Sequence, residues 1–108
     1  MVNQGDIVIV DFDPSLGSKQ KGKRPGLVIS NEPYHKYTKK FAIVLPITST
    51  IRLGFPLHID LDSRTSIQGQ ILCEQPKTMD LSVRNLVTIE KLPDDLLHKT
   101  LSLVKLLF

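Results

Sequence analysis

Cysteine is nearly absent from this sequence, tryptophan is missing and long hydrophobic runs do not occur. Cys73 has no second cysteine, which excludes an internal disulfide and a zinc site built from thiolates. The longest apolar runs, such as 41–47, are too short to cross a bilayer. His35, His58 and His98 lack the spacing of a known metal motif. We therefore expect a cytoplasmic protein with no metal, no cofactor and no membrane association.

The short signatures of common enzyme classes are missing too. The sequence contains no G-x-S-x-G nucleophile motif, no P-loop and no dinucleotide-binding fingerprint. Spacing does not combine any Ser, His and Asp into a catalytic triad. Chemistry in this protein must come from polar residues that the fold brings together.

The length of 108 residues fits one domain, residues 1–108, and the 41% apolar and 23% charged residues are ordinary for a globular protein. Apolar runs and alternation predict strands at 7–12, 27–29, 40–50, 57–61, 67–74 and 86–89. The first strand is apolar on both faces, as in a small closed or semi-closed barrel. Pro46 indicates an edge strand or a bulge.

The remaining segments are expected to be shorter elements or turns. Residues 34–40 predict a turn or a short helical piece, and residues 76–80 predict a turn. Alternation in 57–61 places His58 and Asp60 on a solvent-exposed strand face.

The carboxyl-terminal stretch predicts a helix. Pro93, Asp94 and Asp95 are typical of a first helical turn, because proline presets φ and carboxylates favour the positive end of the helix dipole. A broad apolar face follows, made by Leu96, Leu97, Leu101, Leu103, Val104, Leu106, Leu107 and Phe108. This face is wider than a surface helix needs. The helix therefore either contacts a second subunit or closes one end of its own barrel.

Positive charge is concentrated in the first half of the chain. Residues 1–54 contain eight Lys and Arg against four Asp and Glu, whereas residues 55–108 contain six against seven. Such an asymmetric field favours a polyanionic partner. Surface lysines that only keep loops hydrated, with no binding partner, would give the same distribution of charge.

Arg24 stands where a basic segment meets a strand. Residues 17–24 contain two glycines, four cations and no large apolar side chain, which predicts a surface loop. Pro25 ends this segment, and the apolar run 27–29 follows. A rigid strand end can aim the Arg24 guanidinium better than a loop tip can.

Three further polar residues, Thr48, Glu74 and Gln75, flank apolar runs, where a β scaffold displays side chains. Together with Arg24 and the basic loop they predict a phosphate-binding site. Each also has an ordinary explanation: a surface arginine, a turn hydroxyl, or an ion pair between Glu74 and Lys77.

Three blocks of the sequence resemble the MazF/PemK/Kid toxins. The first contains Gly5-Asp6, Asp11-Phe12-Asp13-Pro14, Gly17-Ser18, Gln20, Gly22 and Arg24-Pro25. The second is Leu45-Pro46-Ile47-Thr48, and the third is Cys73-Glu74-Gln75-Pro76-Lys77-Thr78-Met79-Asp80 in its PemK/Kid-like form. The blocks occur in the family's order and span almost the whole chain.

The resemblance implies a mainly β fold, a small SH3-like (MazF/CcdB-type) barrel with short helical pieces and a carboxyl-terminal helix. It implies a homodimer, and an antitoxin whose flexible tail covers the RNA site. The implied activity is metal-independent, sequence-specific endonucleolytic cleavage of single-stranded RNA. The ribose 2′-hydroxyl attacks the adjacent phosphate and leaves a 2′,3′-cyclic phosphate and a 5′-hydroxyl. An internal nucleophile leaves positioning and charge stabilisation to the protein.

The resemblance also implies roles for individual residues. Arg24 matches the family's catalytic arginine, Thr48 its catalytic threonine, and Glu74 an acidic residue implicated in Kid-like relatives. Because arginine keeps its proton, Glu74 is the better candidate for the base. RNA contacts are expected from the basic loop and from the third block: Lys19, Gln20, Lys21, Lys23, Gln75 and Lys77.

This chain departs from the family pattern at three positions. Lys19 stands where many relatives have an acidic residue. In Kid-like members, a histidine can stand at the position of Ser18 and an arginine at the position of Leu72. Two alternatives stay open: a gyrase-poisoning toxin of the CcdB type, whose usual Trp-Gly-Ile ending is absent from 105–108, and a non-catalytic RNA-binding SH3-like module.

Overall fold

The computed structural model describes residues 2–12 and 23–108 of the chain. Within these ranges the strands are β1 (Asp6–Asp11), β2 (Lys23–Val28), β3 (Phe41–Thr48), β4 (His58–Asp60), β5 (Gln70–Leu72), β6 (Lys77–Asp80) and β7 (Leu86–Lys91). The helices are α1 (Glu32–Thr38) and α2 (Asp94–Leu107). The predicted RNA contacts Lys19, Gln20 and Lys21 lie outside the described residues.

The strands form one antiparallel sheet in the order β4-β5-β3-β2-β1-β7, and β6 also pairs with β3. The predicted class, mainly β with a carboxyl-terminal helix, is confirmed. In the described part of the chain, the edge strands β4 and β7 do not pair with each other, so the sheet is open and not a fully closed barrel. β4 is only three residues long and pairs with β5 alone.

The predicted turn at 76–80 is wrong, because Lys77–Asp80 is strand β6. β3 is long enough for two partners along one edge: its first half pairs with β6, and Ile47 and Thr48 pair with β5. Pro46 lies between these two ladders and pairs with Gly26 of β2. It therefore belongs to a central strand and not to an edge strand, and it stands in the gap between the β5 and β6 ladders on one side of β3.

Apolar side chains cover both faces of the sheet, as predicted for β1. On one face, Ile7, Leu27 and Leu45 belong to a buried cluster that α2 covers. On the opposite face, here called the far face, a second buried cluster contains Val2, Val8, Val10, Val28, Ala42, Val44 and Met79. Neighbouring residues along β1 and β2 alternate between the clusters, since successive strand side chains point to opposite faces.

Helix α2 covers its own sheet. Leu96 is buried in the cluster below it, and Leu97, Leu103 and Val104 pack against that cluster. Leu106 and Phe108, in contrast, are 81% and 74% exposed. Closure of one side of the fold by the helix is thus confirmed, and contact with a second subunit stays a prediction for the exposed end. In the described ranges, neither helix is long and apolar enough to span a membrane.

Candidate active site

Four polar side chains share the far face of the sheet through strand register. Thr48 pairs with Gln70 of β5, which pairs with Asp60 of β4, and His58 pairs with Leu72. Their neighbours Ile47, Ile59 and Ile71 point into the α2-covered cluster, so Thr48, Gln70 and His58 point the other way. Arg24 lies three positions before Leu27 of the α2-covered cluster, and an odd separation along a strand puts two side chains on opposite faces. Arg24 is therefore on the far face as well.

Arg24 is the second residue of β2, where it is exposed and pairs with Val10 of β1. Arg24 thus lies near the start of a strand, as predicted, and the loop predicted before it lies outside the described residues. Across residues 2–12 and 23–108, no hydrogen bond to its guanidinium is found. Its planar set of donors is therefore open to an external anion.

Thr48 is half-buried at the end of β3. Its Oγ1 accepts a hydrogen bond from the backbone N–H of Thr50 at 3.1 Å. Because that bond uses a lone pair, the hydroxyl hydrogen remains able to donate to a phosphate oxygen.

The carboxylate of Glu74 faces a histidine and not Lys77. His58 Nε2 lies 3.2 Å from Glu74 Oε2, and Gln75 Nε2 donates to the same oxygen at 3.3 Å. Partial burial raises the pKa of Glu74, but its own backbone N–H, His58 and Gln75 outweigh that effect and lower the pKa below the usual glutamate value. Oε1 of Glu74 is buried and has no hydrogen-bond partner in the described part of the chain.

Gln70 holds the imidazole from the other side. Its Oε1 accepts from the Arg52 backbone N–H at 3.0 Å and lies 3.1 Å from His58 Nδ1. Its Nε2 donates to the Arg52 carbonyl at 3.2 Å and to Asp60 Oδ1 at 2.7 Å. Gln70 itself is only 3% exposed, so its side-chain amide is shielded from water, whereas Asp60 at the edge of the network is exposed.

The predicted solvent-exposed position of His58 is wrong, because its side chain is 4% exposed. Its ring packs edge-on against Phe55 at 4.5 Å between centroids, and the Arg52 guanidinium lies 4.1 Å from the centre of the Phe55 ring. Sequence reasoning missed both His58 and Gln70. The available signal was that each occupies a polar position between apolar residues of a short strand.

The remaining predicted RNA-contact residues in the described ranges divide between the two faces. Lys77 pairs with Val44, whose side chain belongs to the far-face cluster, and Gln75 is exposed beside Glu74. Lys23 pairs with Asp11 and alternates with Arg24, so the register puts it on the opposite face. Strand register thus groups Lys77 with Arg24 and separates Lys23 from it.

Cys73 precedes Glu74 and is fully buried. Burial, aided by the Glu74 charge, raises the pKa of its thiol to about 12. The thiol stays protonated at neutral pH and is not a nucleophile.

The fold and the site together define a class of protein. It is a small, mainly β domain that displays an arginine, a hydroxyl and a carboxylate on one region of its sheet. The family described as PemK-like, MazF-like toxin of type II toxin-antitoxin system matches residues 3–108. The chain belongs to that family, and the resemblance seen in its three sequence blocks is confirmed.

Individual relatives cover nearly the whole chain. Endoribonuclease PemK of Escherichia coli is 30% identical over 105 residues, which span 93% of this chain and 77% of that protein. Endoribonuclease EndoA of Bacillus subtilis (strain 168) is 34% identical over 103 residues, which span 92% of this chain and 87% of that protein. A crystal structure of MazE-MazF from Deinococcus radiodurans has a TM-score of 0.80 at 24% identity, covering 98% of this chain and 93% of that chain, and thus shares its fold.

Proposed function

We propose that this toxin is a cytoplasmic endoribonuclease that cleaves single-stranded RNA at specific sequences without a metal ion. The observation that carries the proposal is the strand register that brings Arg24 and Thr48 to one sheet face. The names of the two curated relatives, both endoribonucleases, support it. They favour RNA cleavage over gyrase poisoning.

The reaction proceeds by attack of the ribose 2′-oxygen on the adjacent phosphorus. Glu74, ionised at neutral pH because its pKa is lowered, accepts the 2′-hydroxyl proton. The O2′ to phosphorus bond forms, the phosphorus to O5′ bond breaks, and O5′ takes a proton from water, which leaves a 2′,3′-cyclic phosphate and a 5′-hydroxyl. Arg24 stabilises the negative charge that develops on the phosphorane, and the Thr48 hydroxyl donates to one of its oxygens.

RNA binding uses cations and amides around these three residues. Lys77 and Gln75 contact the strand from the third sequence block, and Lys19, Gln20 and Lys21 contact it from the basic segment, whereas Lys23 lies on the opposite sheet face. Lysines supply sequence-independent attraction to phosphates, so binding weakens as salt increases.

Two protein partners complete the proposal. The relative from Deinococcus radiodurans was crystallised as MazE-MazF. We infer that this chain also has an antitoxin, whose flexible tail covers the RNA site, and that it forms a homodimer through the exposed end of α2, where Leu106 and Phe108 lie.

The test is digestion of a defined long RNA by the purified protein in EDTA, with identification of the new ends. We expect cuts at a recurring sequence, with 2′,3′-cyclic phosphate and 5′-hydroxyl ends. Cleavage that requires added Mg²⁺ would contradict the proposed chemistry. Intact RNA bound by a folded protein would indicate the non-catalytic RNA-binding module instead.

A further inference from the structure

A groove of about 440 Å³ lies between α1 and the amino-terminal segment. Because α1 joins the end of β2 to the start of β3, the groove is at the opposite end of this strand pair from Arg24 and Thr48. The five residue steps from Arg24 to Ile29 span about 16 Å of extended chain. The groove is therefore separate from the candidate active site. It combines an apolar wall, an imidazole, two side-chain amides, a carboxylate and a cation, contributed by Val2, His35, Gln4, Asn31, Glu32 and Lys36.

The groove borders the same sheet face as the candidate active site. Val2, which forms its apolar wall, belongs to the far-face cluster. Lys77 pairs with Val44 in the middle of β3, so it lies on that face between the groove and Thr48. A single nucleic acid strand can thus reach both places along one face, with a cation on the way.

The two side-chain amides of the groove are each held in one orientation by the backbone. Gln4 Nε2 donates to the Ile29 carbonyl at 2.8 Å, so Oε1 is the end of this amide that can accept from a ligand. Asn31 Oδ1 accepts from the Tyr34 backbone N–H at 3.1 Å, so Nδ2 is the end that can donate. Flipped amides would put oxygen against oxygen and N–H against N–H. The groove therefore offers a fixed acceptor and a fixed donor.

The imidazole of His35 is held in place as well. Its Nε2 lies 2.6 Å from Ser30 Oγ, and this oxygen accepts from the Ile43 backbone N–H at 2.9 Å. Ser30 is only 6% exposed, so the ring is anchored from within the fold. A flat ring fixed in the wall of a groove is a surface on which an unpaired base can stack.

Lys36 and Glu32 supply the charges of the groove, and their spacing puts them on one side of α1. Lys36 is exposed and has no ion-pair partner within residues 2–12 and 23–108, so its ammonium is available to a phosphate. The Glu32 carboxylate is a second acceptor beside Gln4 Oε1. Two acceptors and one amide donor favour a base edge with an amino group next to a ring-nitrogen acceptor. Adenine and cytosine have this edge, whereas uracil has no amino group.

We propose that this groove is a second subsite for single-stranded nucleic acid, which holds one unpaired adenine or cytosine nucleotide of the strand that the active site cleaves. The base stacks on His35, and its amino group donates to Gln4 or Glu32. Its ring nitrogen accepts from Asn31 Nδ2, and Lys36 contacts a neighbouring phosphate. The inference rests on the proposed function only in taking RNA as the natural ligand.

The direct test is NMR of the full chain labelled with nitrogen-15, titrated with short 2′-O-methyl oligonucleotides of adenine, cytosine or uracil. These probes lack the 2′-hydroxyl nucleophile and stay intact. With the adenine and cytosine probes, we expect the side-chain NH₂ signals of Gln4 and Asn31 to shift together with the backbone amides of α1. Groove signals that do not shift, or that shift most with the uracil probe, would overturn the inference.

The affinities of matched variants for the same probes give a second test. Asn31→Ser keeps an oxygen that can cap α1 but lacks the amide donor. It should weaken binding of the adenine and cytosine probes by about 10-fold and leave binding of the uracil probe unchanged. Lys36→Ala should weaken binding of all three probes by a similar factor, because a phosphate contact is independent of sequence.

The control is Lys99→Ala, which removes an exposed lysine from α2 and should bind every probe like the wild type. Thermal unfolding verifies that each variant is folded. Folded Asn31→Ser and Lys36→Ala proteins that bind the probes as tightly as Lys99→Ala does would overturn the inference.

These tests separate the subsite from the proposed function, since neither depends on cleavage. A wild-type protein that leaves ordinary RNA intact contradicts the function, yet shifts of the groove signals with the adenine probe still support the subsite. A protein that cleaves RNA, but whose two groove variants bind the probes like the wild type, contradicts only the subsite.

Discussion

Arg24 on β2 and Thr48 on β3 each lie two residues beyond the Gly26 to Pro46 pair of their antiparallel strands. Both alternate with residues of the α2-covered cluster, so both belong to the far face of the sheet. We propose that the guanidinium and the hydroxyl contact two oxygens of one phosphate. The relationship depends on strand pairing and not on proximity along the chain.

Substitution of Arg24 tests this arrangement. Arg24→Ala should reduce RNA cleavage by about 100- to 1,000-fold, as loss of a donor to a developing oxyanion does. Arg24→Lys keeps the charge but loses the planar pair of donors, so it should recover only part of the rate. Because Arg24 is exposed, thermal unfolding should be unchanged.

A suitable control is Lys99→Ala, which removes one exposed positive charge from α2. Its cleavage rate should equal that of the wild type. An Arg24→Ala protein as active as this control would show that the proposed site is wrong.

Gly69 controls the position of Thr48 and offers a second prediction. Gly69 has a φ of +126°, and a Cβ built there would collide with the carbonyl oxygen of Thr48. Gly69→Ala should therefore displace the end of β3, lower the cleavage rate and reduce the free energy of unfolding by about 1–3 kcal/mol. Rates and chemical denaturation measure both effects.

Gly54 provides the comparison, since its φ is +72° and a Cβ there would meet nothing within 4 Å. Gly54→Ala should show a smaller loss of stability, from backbone strain alone, and a normal cleavage rate. Equal cleavage rates in the two variants would contradict the link between Gly69 and Thr48.

Glu90 predicts a dependence of stability on pH. Its carboxylate accepts hydrogen bonds from the Ser66 hydroxyl at 2.6 Å and from the Ser66 and Ile67 backbone N–H groups. Burial raises the pKa of Glu90, but these hydrogen bonds outweigh it and lower the pKa below the usual 4.5. The stabilisation is therefore complete above the usual value and is lost as the pH falls through the lowered pKa.

Glu90→Gln should consequently unfold at a lower temperature than the wild type at pH 7, and the difference should shrink as the pH is lowered below 4.5. Thermal unfolding monitored by circular dichroism over a series of pH values measures this. Glu32→Gln, at an exposed carboxylate in α1, is the matched control. A constant difference between wild type and Glu90→Gln at all pH values would contradict the prediction.

The exposed end of α2 tests the proposed homodimer. Leu106→Lys puts a charge on a side chain that is 81% exposed in the single chain, so it should shift the dimer towards monomer without unfolding the protein. Light scattering coupled to size-exclusion chromatography gives the mass, and circular dichroism reports the fold. A wild-type monomer, or a Leu106→Lys dimer of unchanged affinity, would place the interface elsewhere or exclude it.

Much of the fold could be predicted because the signals act over a few residues. Alternation and apolar content identified β1, β3 and β7, and Pro93 with its following carboxylates identified α2. In contrast, β6 was predicted as a turn. Its residues are polar apart from Met79, and they form a strand only because β3 extends past β5 and offers an unpaired edge.

The candidate site was predicted in part. Arg24, Thr48 and Glu74 stand at the ends of apolar runs, which made them visible. His58 and Gln70 were missed, since a polar residue in an alternating strand normally faces water. Both are buried here because Phe55, Glu74 and the backbone of Arg52 cover them, and residues distant in sequence supply that cover.

The amino-acid sequence by itself determined the mainly β class, the terminal helix, the concentration of positive charge and the family. Local preferences and short motifs are properties of neighbouring residues and need no knowledge of pairing. Only the tertiary structure decided that Arg24 and Thr48 share a face and that Glu74 meets His58 and not Lys77. Register and burial are set by contacts between distant segments, and the lowered pKa of Glu74 follows from those contacts.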